Sequence, residues 1–135
     1  MPAKNYFTLN WKITVPAGGT KTSIVQNVLR EIYPDRPFKI HKIVVAIDQG
    51  ADVRSAVTFG RNVTGVGTAQ DPPTLSAGCL GRLYFNKGEI NTKVLDPPQP
   101  IEIDKDDSFN VQLYGANTGS SDEDLYAFIT LYVEV

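Results

Sequence analysis

The chain contains one cysteine and one histidine in 135 residues, and this scarcity excludes several kinds of site. Cys79 has no partner for an internal disulfide and no companions for a cysteine metal cluster. His41 is equally isolated, whereas catalytic triads and zinc sites need several convergent side chains. We therefore interpret Cys79 as a small buried residue and His41 as a surface or bulge residue. We expect no cofactor and no enzymatic activity.

Long apolar runs and a strong net charge are also absent. The longest apolar run, Ile43–Ile47, is far shorter than a membrane span, and Met1–Lys12 lacks the apolar core of a signal peptide. Thirteen basic and fifteen acidic residues give a formal net charge of −2, which offers no bulk attraction to nucleic acid. We predict a single domain over residues 1–135, without a membrane span or a nucleic-acid partner.

The strongest positive signal is period-two alternation over Leu125–Val135, which is typical of a β-strand. One face is aliphatic and suits a core. The other face carries Tyr126, Phe128 and Tyr132. Aromatic residues are enriched at subunit interfaces, so these three are candidate interface residues. The alternative is a second buried layer covering the same face.

Similar patterns predict about eight short strands along the chain. The N-terminal strand mirrors the C-terminal one, and a phase slip at His41-Lys42 predicts a β-bulge. The other predicted strands are Tyr6–Val15, Phe38–Ile47, Val53–Gly60, Leu80–Asn86, Glu89–Leu95, 101–103 and 109–114. We therefore predict an all-β fold, a single jelly-roll sandwich or barrel of antiparallel strands. An immunoglobulin-like sandwich is the nearest rival.

The sequence pattern over residues 23–33 predicts a short helix, the one helix expected in the fold. Apolar residues recur at helical spacing before Pro34, and Ser23 and Gln26 have the spacing of a capping box. The competing interpretation is an irregular strand, because several of the apolar residues are β-branched. Further on, residues 60–78 predict a long glycine-rich loop, of a length that is usually functional or mobile.

Two acidic runs are the best metal candidates, because carboxylates clustered on loops suit calcium. The first contains Asp104, Asp106 and Asp107, and the second is Asp122-Glu123-Asp124. Neither has the glycine and terminal glutamate of an EF-hand loop, and acidic turns also keep strand edges from pairing. We therefore predict no metal site and retain Asp104, Asp106 and Asp107 as weak calcium candidates.

Exposed aromatic residues also suit a carbohydrate-binding platform, since their faces are apolar and the tip of tyrosine is polar. The candidates for such a platform are Trp11, Tyr84, Tyr114, Tyr126 and Tyr132. Trp11 shares its parity with Leu9 and Ile13, which favours a place in the core. A ligand-binding module is the alternative function. A small enzyme built on His41 with Cys79 or an aspartate is a third.

The order of elements resembles a family of viral proteins. The segments that carry the resemblance are Trp11–Gly19, Ile101–Leu113 and Ala127–Val135. The pattern is similar to small single jelly-roll virion proteins: minor capsid, penton or decoration proteins of bacterial or archaeal viruses. The resemblance implies a non-enzymatic structural subunit of the virion. Such a subunit self-assembles, as a trimer or pentamer, or docks on other capsid proteins. Many RNA-packaging capsid proteins carry a long basic N-terminal arm, whereas the first predicted strand here begins close to Met1, so we do not expect genome binding through such an arm.

Overall fold

The computed structural model describes residues 4–62 and 78–135, which form nine β-strands. The strands are β1 (Lys4–Val15), β2 (Thr20–Val25), β3 (Phe38–Gln49), β4 (Val53–Arg61), β5 (Cys79–Phe85), β6 (Asn91–Leu95), β7 (Ile101–Ile103), β8 (Phe109–Asn117) and β9 (Glu123–Glu134). Most of the predicted 60–78 loop lies outside the described residues.

The strands form two antiparallel sheets with the connectivity of a jelly roll. The first sheet has the order β1-β9-β3-β6, with β7 also pairing with β3, and the second has the order β2-β8-β4-β5. The chain crosses between the sheets at most connections, so neighbours within a sheet are distant in sequence. The predicted all-β jelly-roll sandwich is confirmed.

The core lies between the inner faces of the two sheets, where alternate residues point inward. Phe59 of β4 and Phe109 of β8, neighbours on the inner face of the second sheet, stack with ring centroids 6.3 Å apart. Ile43, Val45 and Ile129 are also almost completely buried. Trp11 points inward with Leu9 and Ile13 and packs against this core, as its parity predicts.

The C-terminal strand β9 is a central strand of the first sheet. It pairs with β1 on one side and β3 on the other, both antiparallel. The β3–β9 register shifts between Ile40 and Lys42, which confirms the bulge predicted at His41-Lys42. Past this shift, Ile43, Val45 and Ile47 return to the core.

The predicted helix at residues 23–33 is wrong. Ser23, Ile24 and Val25 belong to β2 and pair with β8 instead. Asn27 and Leu29 then adopt positive φ angles of 54° and 72°, which a right-handed helix does not allow. The pairing of residues 20–25 with β8 therefore outweighs the helical spacing of the apolar residues. The residues after β2 form turns up to the start of β3.

The connection from residue 26 to residue 37 closes one end of the sandwich. Arg30 anchors it by donating hydrogen bonds to the backbone carbonyls of Tyr33, Arg36, Asp104 and Asp107. The Tyr33 ring meets Phe7 edge-on, with centroids 5.9 Å apart, and also contacts Phe38. The connection is therefore fastened to the first sheet through both β1 and β3.

Candidate interaction surface

The outer face of the first sheet carries the three predicted interface residues. Tyr126, Phe128 and Tyr132 alternate with buried residues along β9, and their exposed fractions are 39%, 45% and 38%. Nothing in the described residues forms a buried second layer over them, so the alternative of a covered face is not seen in that part of the chain. We call this side of the β1-β9-β3-β6 sheet the outer aromatic face.

Cross-strand neighbours extend the aromatic character beyond β9. Tyr6 of β1 lies opposite Tyr132, and Lys42 of β3 lies opposite Tyr132 on the other side. The two tyrosine rings have centroids 6.2 Å apart, and the Lys42 ammonium sits 4.7 Å above the Tyr132 ring. These side chains, with His41, line a shallow cavity of about 250 Å³. Pairs of this kind fix the orientation of exposed rings on a sheet.

Most large apolar side chains that stay exposed in the described residues belong to this face or its margin. They are Tyr6, Ile90, Val94, Tyr126, Phe128 and Tyr132. Ile90 and Phe128 line one shallow depression together, and Val94 lies beside Val44 in the β3–β6 ladder. Single exposed apolar residues are ordinary, whereas their concentration on one sheet face indicates an interaction surface.

Besides Lys42, which lies over the Tyr132 ring, further charged residues lie at the two ends of the outer aromatic face. Lys12 lies opposite Tyr126 and approaches Asp124, with 3.9 Å between Nζ and Oδ2. At the other end of β9, the His41 Nε2 and Glu134 Oε1 atoms are 2.5 Å apart. The middle of the face combines aromatic rings with the polar Thr8, Asn10 and Thr130, and such a mixture of apolar and polar groups is ordinary for non-obligate protein interfaces.

The other aromatic residues of the proposed sugar platform are divided among separate places. Trp11 faces the core, and Tyr114 is 98% buried on the second sheet, being 2% exposed. Tyr84 is exposed on the second sheet, where Arg82 donates a hydrogen bond to its hydroxyl and stacks on its ring. Only Tyr126 and Tyr132 share a surface. A platform built from all five residues is therefore excluded.

The structure separates the two residues considered for catalysis. His41 is on β3 in the first sheet and pairs with Glu134, whereas Cys79 begins β5 in the second sheet. The Cys79 thiol lies 3.8 Å from the Gly81 carbonyl oxygen and is partly buried. A nucleophile with His41 as its base therefore does not form.

The first acidic run forms a turn. The Asp104 N–H donates to the Asp107 carboxylate, and the Asp107 N–H donates to the Asp104 carbonyl. Asn62 donates to the other Asp107 oxygen at 2.8 Å. These two hydrogen bonds, from Asn62 first and then from the Asp104 backbone, lower the pKa of Asp107, and Arg61 and Arg30 add to this. Asp106 stays exposed.

The second acidic run also serves the fold. Asp122 accepts a hydrogen bond from the Ala17 backbone, and Asp124 accepts one from the Thr14 hydroxyl. Both contacts tie the start of β9 to the end of β1. Within residues 4–62 and 78–135, no three His, Cys, Asp or Glu side chains are grouped to hold a metal ion.

A second shifted carboxyl group lies at the turn between β5 and β6. Glu89 accepts hydrogen bonds from the Asn91 side chain and the Asn86 backbone, and its carboxylate lies 3.2 Å from Lys93 Nζ. These contacts, Asn91 first, lower the pKa of Glu89. These contacts all lie within the turn, so the lowered pKa reflects its local stabilisation.

Comparison with known proteins finds structural matches only. No family model matches the chain, and no curated protein matches its sequence. The fold is similar to the decameric BFDV capsid protein, with a TM-score of 0.56 and 10% identity over 99% of this chain and 98% of that chain. It is also similar to infectious bursal disease virus Gt strain (TM-score 0.48, 11% identity, 99% of this chain, 33% of that chain). A third match is the Yersinia pseudotuberculosis-derived mitogen (TM-score 0.42, 14% identity, 97% of this chain, 86% of that chain).

The first of these matches carries the structural conclusion. It pairs essentially the whole of this chain with the whole of a capsid protein, so the resemblance to jelly-roll virion proteins is confirmed at the level of the fold. Fold alone does not define function, because one fold serves many roles. In the described residues, no helix is long and apolar enough to cross a membrane.

Proposed function

We propose that this chain is a non-enzymatic structural subunit of a virus particle, and that it acts in the virion by associating with copies of itself or with other capsid proteins. The observation that carries the proposal is the outer aromatic face on a jelly roll of capsid-protein shape. We retain residues 1–135 as a single domain. A trimer or a pentamer is the expected assembly.

The chemistry of the outer aromatic face supports a protein partner. Tyr126, Phe128 and Tyr132 point from a rigid central strand, so they lose little conformational freedom on binding. Tyrosine is common among the residues that dominate interface energies, because it combines a large apolar area with a polar tip. Soluble monomers rarely expose contiguous apolar patches larger than a few hundred Å².

The test measures solution mass against protein concentration by light scattering, for the wild type and for a Tyr126→Ala/Tyr132→Ala double variant. We expect a discrete oligomer for the wild type and at least about a tenfold weaker association for the variant, since truncating interface anchors costs upwards of about 1–2 kcal/mol each. Tyr84→Ala is the matched control, because it removes an exposed tyrosine from the second sheet.

Three results would count against the proposal. A wild-type protein that stays monomeric at all concentrations and does not bind capsid proteins removes the assembly role. A folded double variant that associates normally removes the outer aromatic face as the interface. Equal weakening by Tyr84→Ala shows that the effect is not specific to this face. Circular dichroism and a thermal melt establish that each variant is folded.

The cavity beside Tyr6 and Tyr132 keeps a carbohydrate-binding module as the second candidate function. Two tyrosine rings 6.2 Å apart, with Lys42 and His41 beside them, offer apolar faces and polar groups to a sugar ring. A glycan array, read with and without calcium, tests this function. Hits lost in a Tyr6→Ala variant would favour it, and an array without hits would exclude it.

A further inference from the structure

The free edge of β1 is unusual among the edges of this fold. β1 is 12 residues long and pairs only with β9. No other strand in the described part of the chain pairs with its opposite edge. An unpaired edge presents a row of backbone N–H and C=O groups that can bind another strand.

The other edge strands are short or interrupted. Natural proteins use such features to prevent edge strands from pairing with other chains. β2 and β5 have six and seven residues. The fourth position of the first sheet is divided between β6 and β7, with Pro97, Pro98 and Pro100 between them. β1 has none of these devices: Lys4–Val15 contains no proline or glycine, and its register with β9 has no bulge.

Burial along β1 shows which part of the edge is open. Ile13 and Val15 are buried, being 7% and 0% exposed, where β1 meets the second sheet. Phe7, Leu9 and Trp11 also point inward but are only partly buried. A groove of about 850 Å³ lies between residues 6–9 of β1 and residues 25–32. The open stretch is therefore residues 4–12.

We propose that residues 4–12 of β1 pair antiparallel with the same residues of a second copy of this chain, across a twofold axis. This inference rests on the proposed self-association and specifies a contact between two trimers or two pentamers, because a cyclic trimer or pentamer contains no twofold axis of its own. A second copy is the favoured partner because a twofold axis brings identical edges together antiparallel. It also offers an edge as long and as regular as β1 itself, which no other edge described here does.

Pairing of the two edges satisfies both rows of backbone groups and covers the partly exposed Phe7 and Leu9. It also joins the two first sheets side by side. The outer aromatic faces then lie next to each other, with Tyr6 of each copy near the seam. The edge contact and the outer aromatic face are different surfaces, so both can be occupied in one particle.

The experiment is a cysteine cross-linking scan in the full chain carrying Cys79→Ser. Tyr6→Cys, Thr8→Cys, Asn10→Cys and Lys12→Cys are introduced one at a time, each at an exposed outward position of β1. Directly opposed residues of antiparallel strands have Cα atoms about 4.5–5.5 Å apart, which suits a disulfide. The matched control is Thr130→Cys, because Thr130 lies opposite Thr8 but on the central strand β9.

We expect disulfide dimers to form fastest at one β1 position and to decline along the strand on both sides of it. The control should react about tenfold more slowly, because it lies one strand further from the seam in each copy, adding roughly 10 Å between the sulfurs. Amide hydrogen exchange of the unmodified chain gives a second measurement. Protection of β1 amides should increase with protein concentration.

The outcomes separate this inference from the proposed function. Cross-linking at Thr130→Cys as fast as at β1 indicates face-to-face association, which overturns the edge contact and leaves the proposed function intact. An oligomer without cross-links at any β1 position, and without added amide protection, also overturns the edge contact. A chain that is monomeric by light scattering and forms no cross-links overturns both.

Discussion

Tyr6 and Tyr132 are paired across the β1–β9 ladder, and their rings meet at an interplanar angle of 40°. They lie on the outer aromatic face, and both rings are partly exposed to water in the isolated chain. Each ring also helps to hold the other in one orientation. The pair therefore links the stability of the sheet to the shape of the candidate interface.

A double-mutant cycle should detect this coupling. We expect Tyr6→Ala and Tyr132→Ala to be non-additive in free energy of unfolding by about 0.2–1 kcal/mol, the range for cross-strand pairs. Chemical denaturation at low protein concentration provides the measurement. Tyr6→Ala with Tyr126→Ala is the matched control, because Tyr126 lies opposite Lys12 instead. Additive effects in both cycles would show that the rings do not stabilise each other.

Arg30 should be essential for the connection that replaces the predicted helix. Its guanidinium donates to several backbone carbonyls and lies 5.2 Å from the Phe38 ring centroid. Arg30→Met should lower the free energy of unfolding by about 2–3 kcal/mol, because carbonyls lose charged donors. Arg30→Lys should recover little of this, since an ammonium lacks the planar fork. Thermal melts test both variants, and Arg36→Met serves as the control.

Equal melting temperatures for Arg30→Met and Arg36→Met would contradict this role. Arg36 is exposed, and the connection uses its backbone carbonyl as an acceptor for Arg30. The control therefore removes a nearby positive charge without removing the network of donors. It separates a general effect of charge from the specific hydrogen bonds.

Asp107 should contribute to the loss of stability in acid. Its pKa in the folded protein lies below the ordinary value of 3.8, so folding favours the charged carboxylate. Above the ordinary pKa, which applies to the unfolded chain, the Asp107 carboxylate contributes its full stabilisation of the folded protein. This stabilisation is lost as the pH falls through the lower pKa of the folded protein. Asp107→Asn should therefore be less stable than the wild type at pH 7, with the difference shrinking towards pH 2–3. Urea unfolding across this pH range tests the sign.

Two measurements strengthen the acid test. Asp106→Asn is the matched control, since Asp106 is an exposed neighbour in the same turn. Asn62→Ala removes the largest cause of the lowered pKa and should raise the pKa of Asp107 measured by NMR titration. A difference between Asp107→Asn and the wild type that grows in acid would contradict the assignment.

Gly115 should be intolerant of a side chain. A Cβ atom at this position would lie 2.7 Å from a Val15 methyl carbon and 3.0 Å from one of Leu125. Both neighbours belong to the facing sheet and are fully buried, so neither can move aside without loss. Gly115→Ala should therefore lower the free energy of unfolding by about 1–3 kcal/mol. An unchanged or higher melting temperature would show that the sheets can separate locally.

Much of the architecture follows from alternation along single strands. β9 could be predicted because its eleven-residue pattern, Leu125–Val135, has one aliphatic and one aromatic face. The bulge at His41 was visible as a change of phase. The helix prediction for residues 23–33 is wrong because apolar residues at helical spacing also suit a short strand followed by turns. Only the pairing of β2 with β8 distinguishes the two, and a single sequence does not reveal that pairing.

The candidate surface was found only in part for a similar reason. Tyr126, Phe128 and Tyr132 lie on one strand, so their shared face is evident from spacing. Tyr6, Val94 and Ile90 join the same face through strand order, which brings residues from distant parts of the sequence together. Tyr84 and Tyr114 do not belong to this face because β5 and β8 lie in the second sheet, which the sequence alone does not reveal.

The central position of β9 also governs when the fold can form during synthesis. β1 and β3 are made early, yet they become part of one sheet only when β9 pairs with both. A nascent chain lacking β9 leaves one edge of β1 and one edge of β3 unpaired, and its core open on that side. Folding of the first sheet must therefore await synthesis of β9, which follows both of its neighbours in the sequence. Non-local topologies of this kind typically fold in about milliseconds to seconds.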